Sequence, residues 1–222
     1  MTFGKIDYIN LLPFHIFLKK QPLCNSFKQS IACKKSYPSK LNEKLKKRQI
    51  DAAFVSSIAS AQKGLKTINA GIVATKEVQS VLVKAGSYKQ DPHSATSNLL
   101  AKILKVEGEV VIGDRALKFY LENPQNYTDL AKLWHEKYNL PFVFARLSVN
   151  RYYDFYKRIG EKFANQKIFI PSYILNNYEE ERGIKAKDIK TYLKNLSYKV
   201  DAKANYGLKT FLRASRLFKI TN

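Results

Sequence analysis

Three stretches of this chain share one design: an apolar run stops at a small polar turn and restarts as an amphipathic helix. In IDYINLLPFHIFLKK the run ends near Asn10, and Pro13 stands in the first helical turn, where its missing N–H costs nothing. DAAFVSSIAS carries a buried strand, Ala52–Val55, through Ser56-Ser57 into a short helix. VVIGDRALKFYL takes the strand Val110–Ile112 through Gly113-Asp114 into another. Repeated strand–turn–helix units predict an α/β fold with mainly parallel pairing. In open α/β sheets ligands bind beyond the carboxyl ends of the strands, which is where Asn10, Ser56, Ser57 and Asp114 stand.

The rest of the chain fills in around these units. Further strands are expected over Ser30–Lys35, Ile68–Ala74 and Val78–Ala85. A helix over Lys40–Arg48 would be capped by Ser39, and Leu99, Leu100, Ile103 and Leu104 form one apolar helical face. A longer helix from Thr128 leads into the apolar strand of LPFVFARLSV, and the last seventy residues read as amphipathic helices. No glycine-serine linker divides the chain, so two lobes joined by short crossing strands are expected. The division falls at residues 1–84 plus 171–222 for the first lobe and 85–170 for the second.

The familiar catalytic signatures (GxSxG, HExxH, a Walker sequence, GxGxxG) are absent. His15, His93 and His135 gather into no metal set, and Cys24 and Cys33 fit no common zinc spacing, so both read as free thiols. No convincing metal set or nucleophilic dyad emerges from these residues. What recurs is small hydroxyl residues at helix starts: Ser56, Ser57, Ser94, Thr96, Ser97 and, near a strand start, Ser80. Free N–H groups with Ser or Thr beside them suit a carboxylate, although the same residues also serve as ordinary N-caps. Asp114 divides in the same way between a cleft residue and a cap for the helix beginning at Arg115.

A formal charge of +21 raises the question of nucleic acid. The lysines are scattered, and the one dense cluster, Lys44–Arg48, lies on an amphipathic helix as a solvated face. An excess of positive charge would also draw an anionic metabolite toward a cleft, so charge alone decides nothing, and no nucleic-acid partner is expected. No apolar run nears the roughly 18 residues of a membrane span, and no basic leader opens the chain. A soluble cytoplasmic protein is expected, its oligomeric state left open.

Taken in order, these segments resemble the chorismate dehydratases of the futalosine route to menaquinone. IDYINLLPFHIFL is similar to the family's opening strand, which ends in Asn followed by x-x-Pro. DAAFVSSIAS resembles its Asp-x-x-x-Val-Ser segment, VQSVLV its Val-x-Ser strand, and SATSNLLAKIL its Ser/Thr-rich helix start. VVIGDRALKF and YTDLAKLWHEKYNLPFVFARLSV, the most specific pair, resemble its Ile-Gly-Asp-x-Ala-Leu and Leu-Pro-Phe-Val-Phe-Ala blocks. The resemblance implies a two-lobed periplasmic-binding-protein-like fold with a central cleft and no cofactor. It also implies a lyase that removes water from chorismate to give 3-[(1-carboxyvinyl)oxy]benzoate, with Asn10 as the catalytic side chain. The serines, Thr96 and Asp114 would hold the substrate. Only five residues separate Leu104 from Val110, where the family has a further strand and helix, so a reduced second lobe is expected. Two alternatives stand beside this reading: a non-catalytic binding protein of the same fold, and the sister dihydroxynaphthoate synthase. The Ser-Pro-Cys-Pro-Asn-Asp opening of that sister family is absent here.

Overall fold

Two sheets organise the chain. The computed structural model describes residues 1–220, and the side chains of all of these except 32, 33, 219 and 220. In chain order the elements begin β1 (Phe3–Gly4), a 3-10 turn (Ile9–Leu11), α1 (Leu12–Lys20), α2 (Asn25–Cys33), α3 (Pro38–Lys46), β2 (Ala52–Ser56), α4 (Ser57–Ser60) and β3 (Lys66–Ala74). They continue with β4 (Val81–Lys84), α5 (Ala95–Leu104), β5 (Glu109–Ile112), α6 (Gly113–Glu122), β6 (Tyr127–Asp129) and α7 (Leu130–Tyr138). The last are β7 (Phe142–Val149), α8 (Tyr153–Ala164), α9 (Ser172–Arg182), α10 (Ala186–Lys194), β8 (Leu196–Lys199) and α11 (Ala202–Ile220).

The larger sheet runs β1-β2-β7-β3-β8 and the smaller β5-β4-β6. Only β1 and β2 pair in parallel; every other pairing between these strands is antiparallel, which corrects the parallel expectation. The cause is β7. After the chain has built the smaller sheet it returns as FVFARLSV and enters between β2 and β3, running against both. Seven of its eight residues are buried, as a central strand covered on both faces requires.

This insertion also moves the boundaries of the lobes. Val81–Lys84 belongs to the smaller sheet and Phe142–Val149 to the larger, so sheet membership changes near residues 75–80 and 139–141 instead of at 84 and 170. The chain crosses twice, from β3 to β4 and from α7 to β7.

Two local expectations also change. Residues 30–35 lie largely in α2, where Phe27 and Ile31, four apart, turn one face inward and Phe27 meets Phe155 edge to face at 5.9 Å. Leu196–Lys199, expected as part of a helical tail, forms an edge strand on β3. Under the larger sheet, α1 and α8 clamp an aromatic cluster in which Phe14 lies 4.9 Å from Phe54 and 5.0 Å from Phe163, both edge to face. That packing fixes the start of α1, and with it the position of the 3-10 turn.

Candidate active site

The 3-10 turn Ile9–Leu11 sits where the two sheets meet, and groups from both lobes converge on it. Its first N–H, on Ile9, donates to Oδ1 of Asp114 at 2.9 Å across the junction. The Asn10 carbonyl accepts from the Tyr198 hydroxyl at 2.6 Å. The Asn10 side chain lies beside the hydroxyl of Tyr192, which shares a hydrogen bond of 2.8 Å with Ser80. Oδ1 of Asn10 is enclosed and has no protein partner. Buried polar atoms are nearly always paired, so this amide oxygen is left free to accept a further hydrogen bond.

Asp114 is not the helix cap. The cap position of α6 is Ile112, and the Asp114 carboxylate reaches instead to Ile9 and to Arg182, whose Nη1 is 3.4 Å from Oδ2. Burial pushes its carboxyl up to about 6, against the Ile9 hydrogen bond and the Arg182 charge that favour ionisation. Its native proton affinity thus exceeds that of the unfolded chain. Its contribution to folding stability is full below about 4, the ordinary value, and is lost as pH rises through about 6.

Beside it, Gly113 adopts φ +70° and donates its N–H to the Ser80 carbonyl at 2.9 Å. A Cβ there would approach the Tyr8 ring to 3.0–3.1 Å. Gly113→Ala should therefore cost about 1–2 kcal/mol from the left-handed backbone alone. A urea midpoint indistinguishable from the parent would show that the turn relaxes freely.

A second group lies where α4 meets α5. Ser56 caps α4, its Oγ accepting from Ala59 N at 3.4 Å, and exchanges hydrogen bonds with Asn42 of α3. Thr96 Oγ1 accepts from Ile58 N at 3.2 Å, from the opposite lobe. The Ser57 hydroxyl is enclosed and donates to the Val143 carbonyl. Ser94 caps α5, accepting from Ser97 N at 3.2 Å, and its hydroxyl bonds that of Ser97 at 2.7 Å. Ser56 and Ser94 thus act as ordinary caps, whereas Ser57 and Thr96 are engaged by distant segments and Ser97 by the Ser94 hydroxyl. An open groove passes them, lined by Asn42, Ile58, Asp91, Asn98 and Lys102 among others.

Tyr8 connects the two groups. Its ring packs on Gly113, while burial and then the charges of Asp91 and Asp114 push its hydroxyl up to about 12. The structure thus brings Asn10, Ser80 and Asp114 together and collects Ser56, Ser57, Ser94, Thr96 and Ser97 in a separate group. Sequence reasoning did not single out Tyr8, Asn42, Arg182, Tyr192 or Tyr198. Tyr8 alone carried a signal, its place two residues before Asn10.

The other titratable groups stand apart. His93 stacks on Tyr37 at 4.2 Å, and Cys24 is an exposed free thiol; the expectation for Cys33 lies outside the described side chains. Among the described residues, no group of three or more His, Cys, Asp or Glu could hold a metal ion. No described helix is long and apolar enough to cross a membrane.

Comparison with known proteins adds three findings. A family model for menaquinone biosynthesis matches residues 1–109 and 101–216, two stretches that overlap where a βα unit is expected to be missing. The chorismate dehydratase of Campylobacter jejuni (strain 81-176) is 52% identical over 222 residues, covering 99% of this chain and 100% of that protein. The two chains therefore align over essentially their whole lengths. Among solved structures, a protein of Archaeoglobus fulgidus has a TM-score of 0.70 at 12% identity, covering 99% of this chain and 97% of the other. The periplasmic aliphatic sulphonate binding protein of Escherichia coli has a TM-score of 0.56 at 14% identity, covering 100% and 87%. A Candida albicans protein with the generic periplasmic binding protein fold gives 0.56 at 10%, covering 98% and 90%. These three likenesses carry the fold.

Proposed function

The chain belongs to the chorismate dehydratase family of menaquinone biosynthesis, and from that premise we propose that the junction around Asn10 is where it removes water from chorismate. The protein is a hydro-lyase acting on a small anionic substrate. The observation that carries the placement is the enclosed, unpartnered Oδ1 of Asn10 between two lobes.

The reaction breaks the C3–H and C4–O bonds of chorismate, and the proton and hydroxide leave as water while the ring becomes aromatic. The barrier lies in taking a carbon-bound proton and in expelling a poor leaving group. As the proton leaves, charge spreads through the diene toward the ring carboxylate, where preorganised donors lower the barrier. The hydroxyls of Ser80, Tyr192 and Tyr8 stand at this junction. The amide of Asn10 can accept from the C4 hydroxyl through Oδ1 and donate to it through Nδ2 as it departs. The substrate's own side-chain carboxylate serves as the base. The groove past Ser56, Thr96 and Ser94 takes the remainder of the molecule, the excess of positive charge draws the dianion in, and the work is done in the cytoplasm.

Asp114 holds the turn that carries Asn10 and so acts as a positioning residue. Below about 6 it is protonated, and its pairing with Arg182 weakens. Turnover should fall severalfold as pH drops through that value. Asp114→Asn keeps an acceptor for Ile9 and should lose this acidic limb while staying within a few-fold of the parent at pH 8. An unchanged limb in the variant would assign the titration to another group.

The function itself is tested by incubating purified protein with chorismate and following, by mass spectrometry, a product lighter by one water. Binding without turnover would favour the non-catalytic reading of the fold.

A further inference from the structure

Arg182 ends α9, far along the chain, yet its guanidinium lies between two carboxylates tied to the Asn10 turn. Its Nη2 donates to Oδ2 of Asp7 at 3.1 Å, and its Nη1 is 3.4 Å from Oδ2 of Asp114. Asp7 belongs to the stretch between β1 and the turn, and Asp114 to α6, which follows directly on the smaller sheet's β5. The ring of Tyr178, one helical turn earlier in α9, lies 5.8 Å from the guanidinium carbon. Nε is enclosed and has no acceptor. The group is thus given over to the two carboxylates, which one arginine serves at once because its planar fork presents separate N–H groups.

The two carboxylates do not depend on it equally. Asp7 also pairs with Lys5 at 3.1 Å and Lys35 at 3.3 Å, whereas among the described residues Asp114 has Arg182 as its only ion-pair partner. The other groups that act on Asp114 are the Ile9 N–H and the like charge of Asp7. The phenols of Tyr8, Tyr178 and Tyr192 stand near it from the turn, α9 and α10, and burial raises each of them, so they are neutral near pH 7. Arg115 and Lys118 of α6 are exposed. Without the guanidinium, Asp114 would keep the negative charge of Asp7 beside it with no cation to offset it. It would then take up a proton more readily or, while ionised, repel the segment that leads into the turn. Either way the hydrogen bond from Ile9 N–H that seats the turn on α6 weakens.

We propose that Arg182 is a positioning residue for the dehydration, clasping Asp7 and Asp114 so that the Asn10 turn stays seated on α6. The role rests on the placement of the chemistry at that turn, and it brings in a residue of the C-terminal helices that lies outside both sheets.

The test measures chorismate turnover across pH in Arg182→Gln and follows hydrogen exchange at the Ile9 amide by NMR. The cation favours the ionised form of Asp114, so its removal raises that carboxyl and moves the acidic limb to higher pH. The variant should lower kcat about fivefold at pH 7, leave KM within about twofold, and shift the limb by about one unit. The Ile9 amide should lose protection about tenfold. Arg182→Lys, whose single ammonium holds one carboxylate at a time, should recover part of the turnover. In an Asp114→Asn background, where the charge it answers is gone, Arg182→Gln should cost less than about twofold. Arg115→Gln removes a cation from the exposed side of α6 and should leave turnover and limb unchanged. Equal losses in the two backgrounds, or an unmoved limb, would overturn the proposal by making Arg182 a general structural residue. Parent-like turnover would also overturn it. With the Ile9 amide still protected, Arg182 would not hold the turn; with that amide exchanging freely, the chemistry would not lie at the turn.

Discussion

Asn10→Asp is expected to lower chorismate turnover by on the order of a hundredfold or more, the scale seen when one transition-state donor is lost. The substitution nearly preserves shape, so what changes is charge and hydrogen-bond polarity. The parent amide is neutral, with an oxygen that no protein group engages. An aspartate there would place a negative charge beside a substrate with two carboxylates, close to the carboxylate of Asp114. It would also remove the donor that meets the departing hydroxide. Folding should be little affected, because the turn is anchored through backbone groups: Ile9 N–H to Asp114 and the Asn10 carbonyl to Tyr198. Steady-state turnover and a urea titration together decide the matter. A variant that turns over chorismate like the parent would remove Asn10 from the mechanism, and one that unfolds would make it a structural residue.

The elements legible in the sequence were those whose pattern is set locally. Ala52–Ser56 is a strand because it is uniformly apolar and stops at serines, and α1 starts at Leu12-Pro13 because proline suits a first turn. Gly113-Asp114 follows directly on β5, as its pattern suggested, whereas Asn10 lies in a 3-10 turn five residues beyond the end of β1 at Gly4, so the strand expected to run up to it is not formed. What escaped was set by distant partners. Nothing within FVFARLSV says that it returns antiparallel between β2 and β3, since a strand buried on both faces reads alike in either direction. Ser30–Lys35 has a β-like look, but Phe27 packs against Phe155 of α8 and Ile31 joins the same core, and residues 30–33 are helical. Tyr192 and Tyr198 come from the C-terminal region to meet a residue near the start of the chain. No local pattern marks such a tyrosine. The serines illustrate the remaining ambiguity, since a helix-start hydroxyl looks the same whether it waits for a carboxylate or caps its own helix.

Asp129→Ala is expected to destabilise the protein by about 3–5 kcal/mol, well beyond the roughly 1 kcal/mol of an ordinary lost cap. Asp129 ends β6 and is 6% exposed. Its Oδ1 accepts from Ala131 N at 2.8 Å and Lys132 N at 3.1 Å, which starts α7. Its Oδ2 accepts from Val78 N at 2.9 Å and Gln79 N at 2.6 Å, in the segment that carries the chain from β3 to β4. One carboxylate thus ties a crossing segment to the helix that precedes the other crossing. Gln79 holds φ +57°, a conformation that a non-glycine residue keeps only when its surroundings fix it. Alanine would leave four N–H groups without acceptors, those of Val78 and Ala131 in buried positions, whereas most single substitutions remove one interaction. Asparagine restores one acceptor oxygen but turns an NH₂ toward the other pair, so Asp129→Asn should recover only part of the loss. Urea unfolding gives the magnitudes, and amide exchange at Gln79 gives the location. That amide should lose protection in both variants if Asp129 organises the crossing. A loss below about 1 kcal/mol with the Gln79 amide still protected would mean that Ser80, bonded to Gly113 N and Tyr192, holds the segment without it.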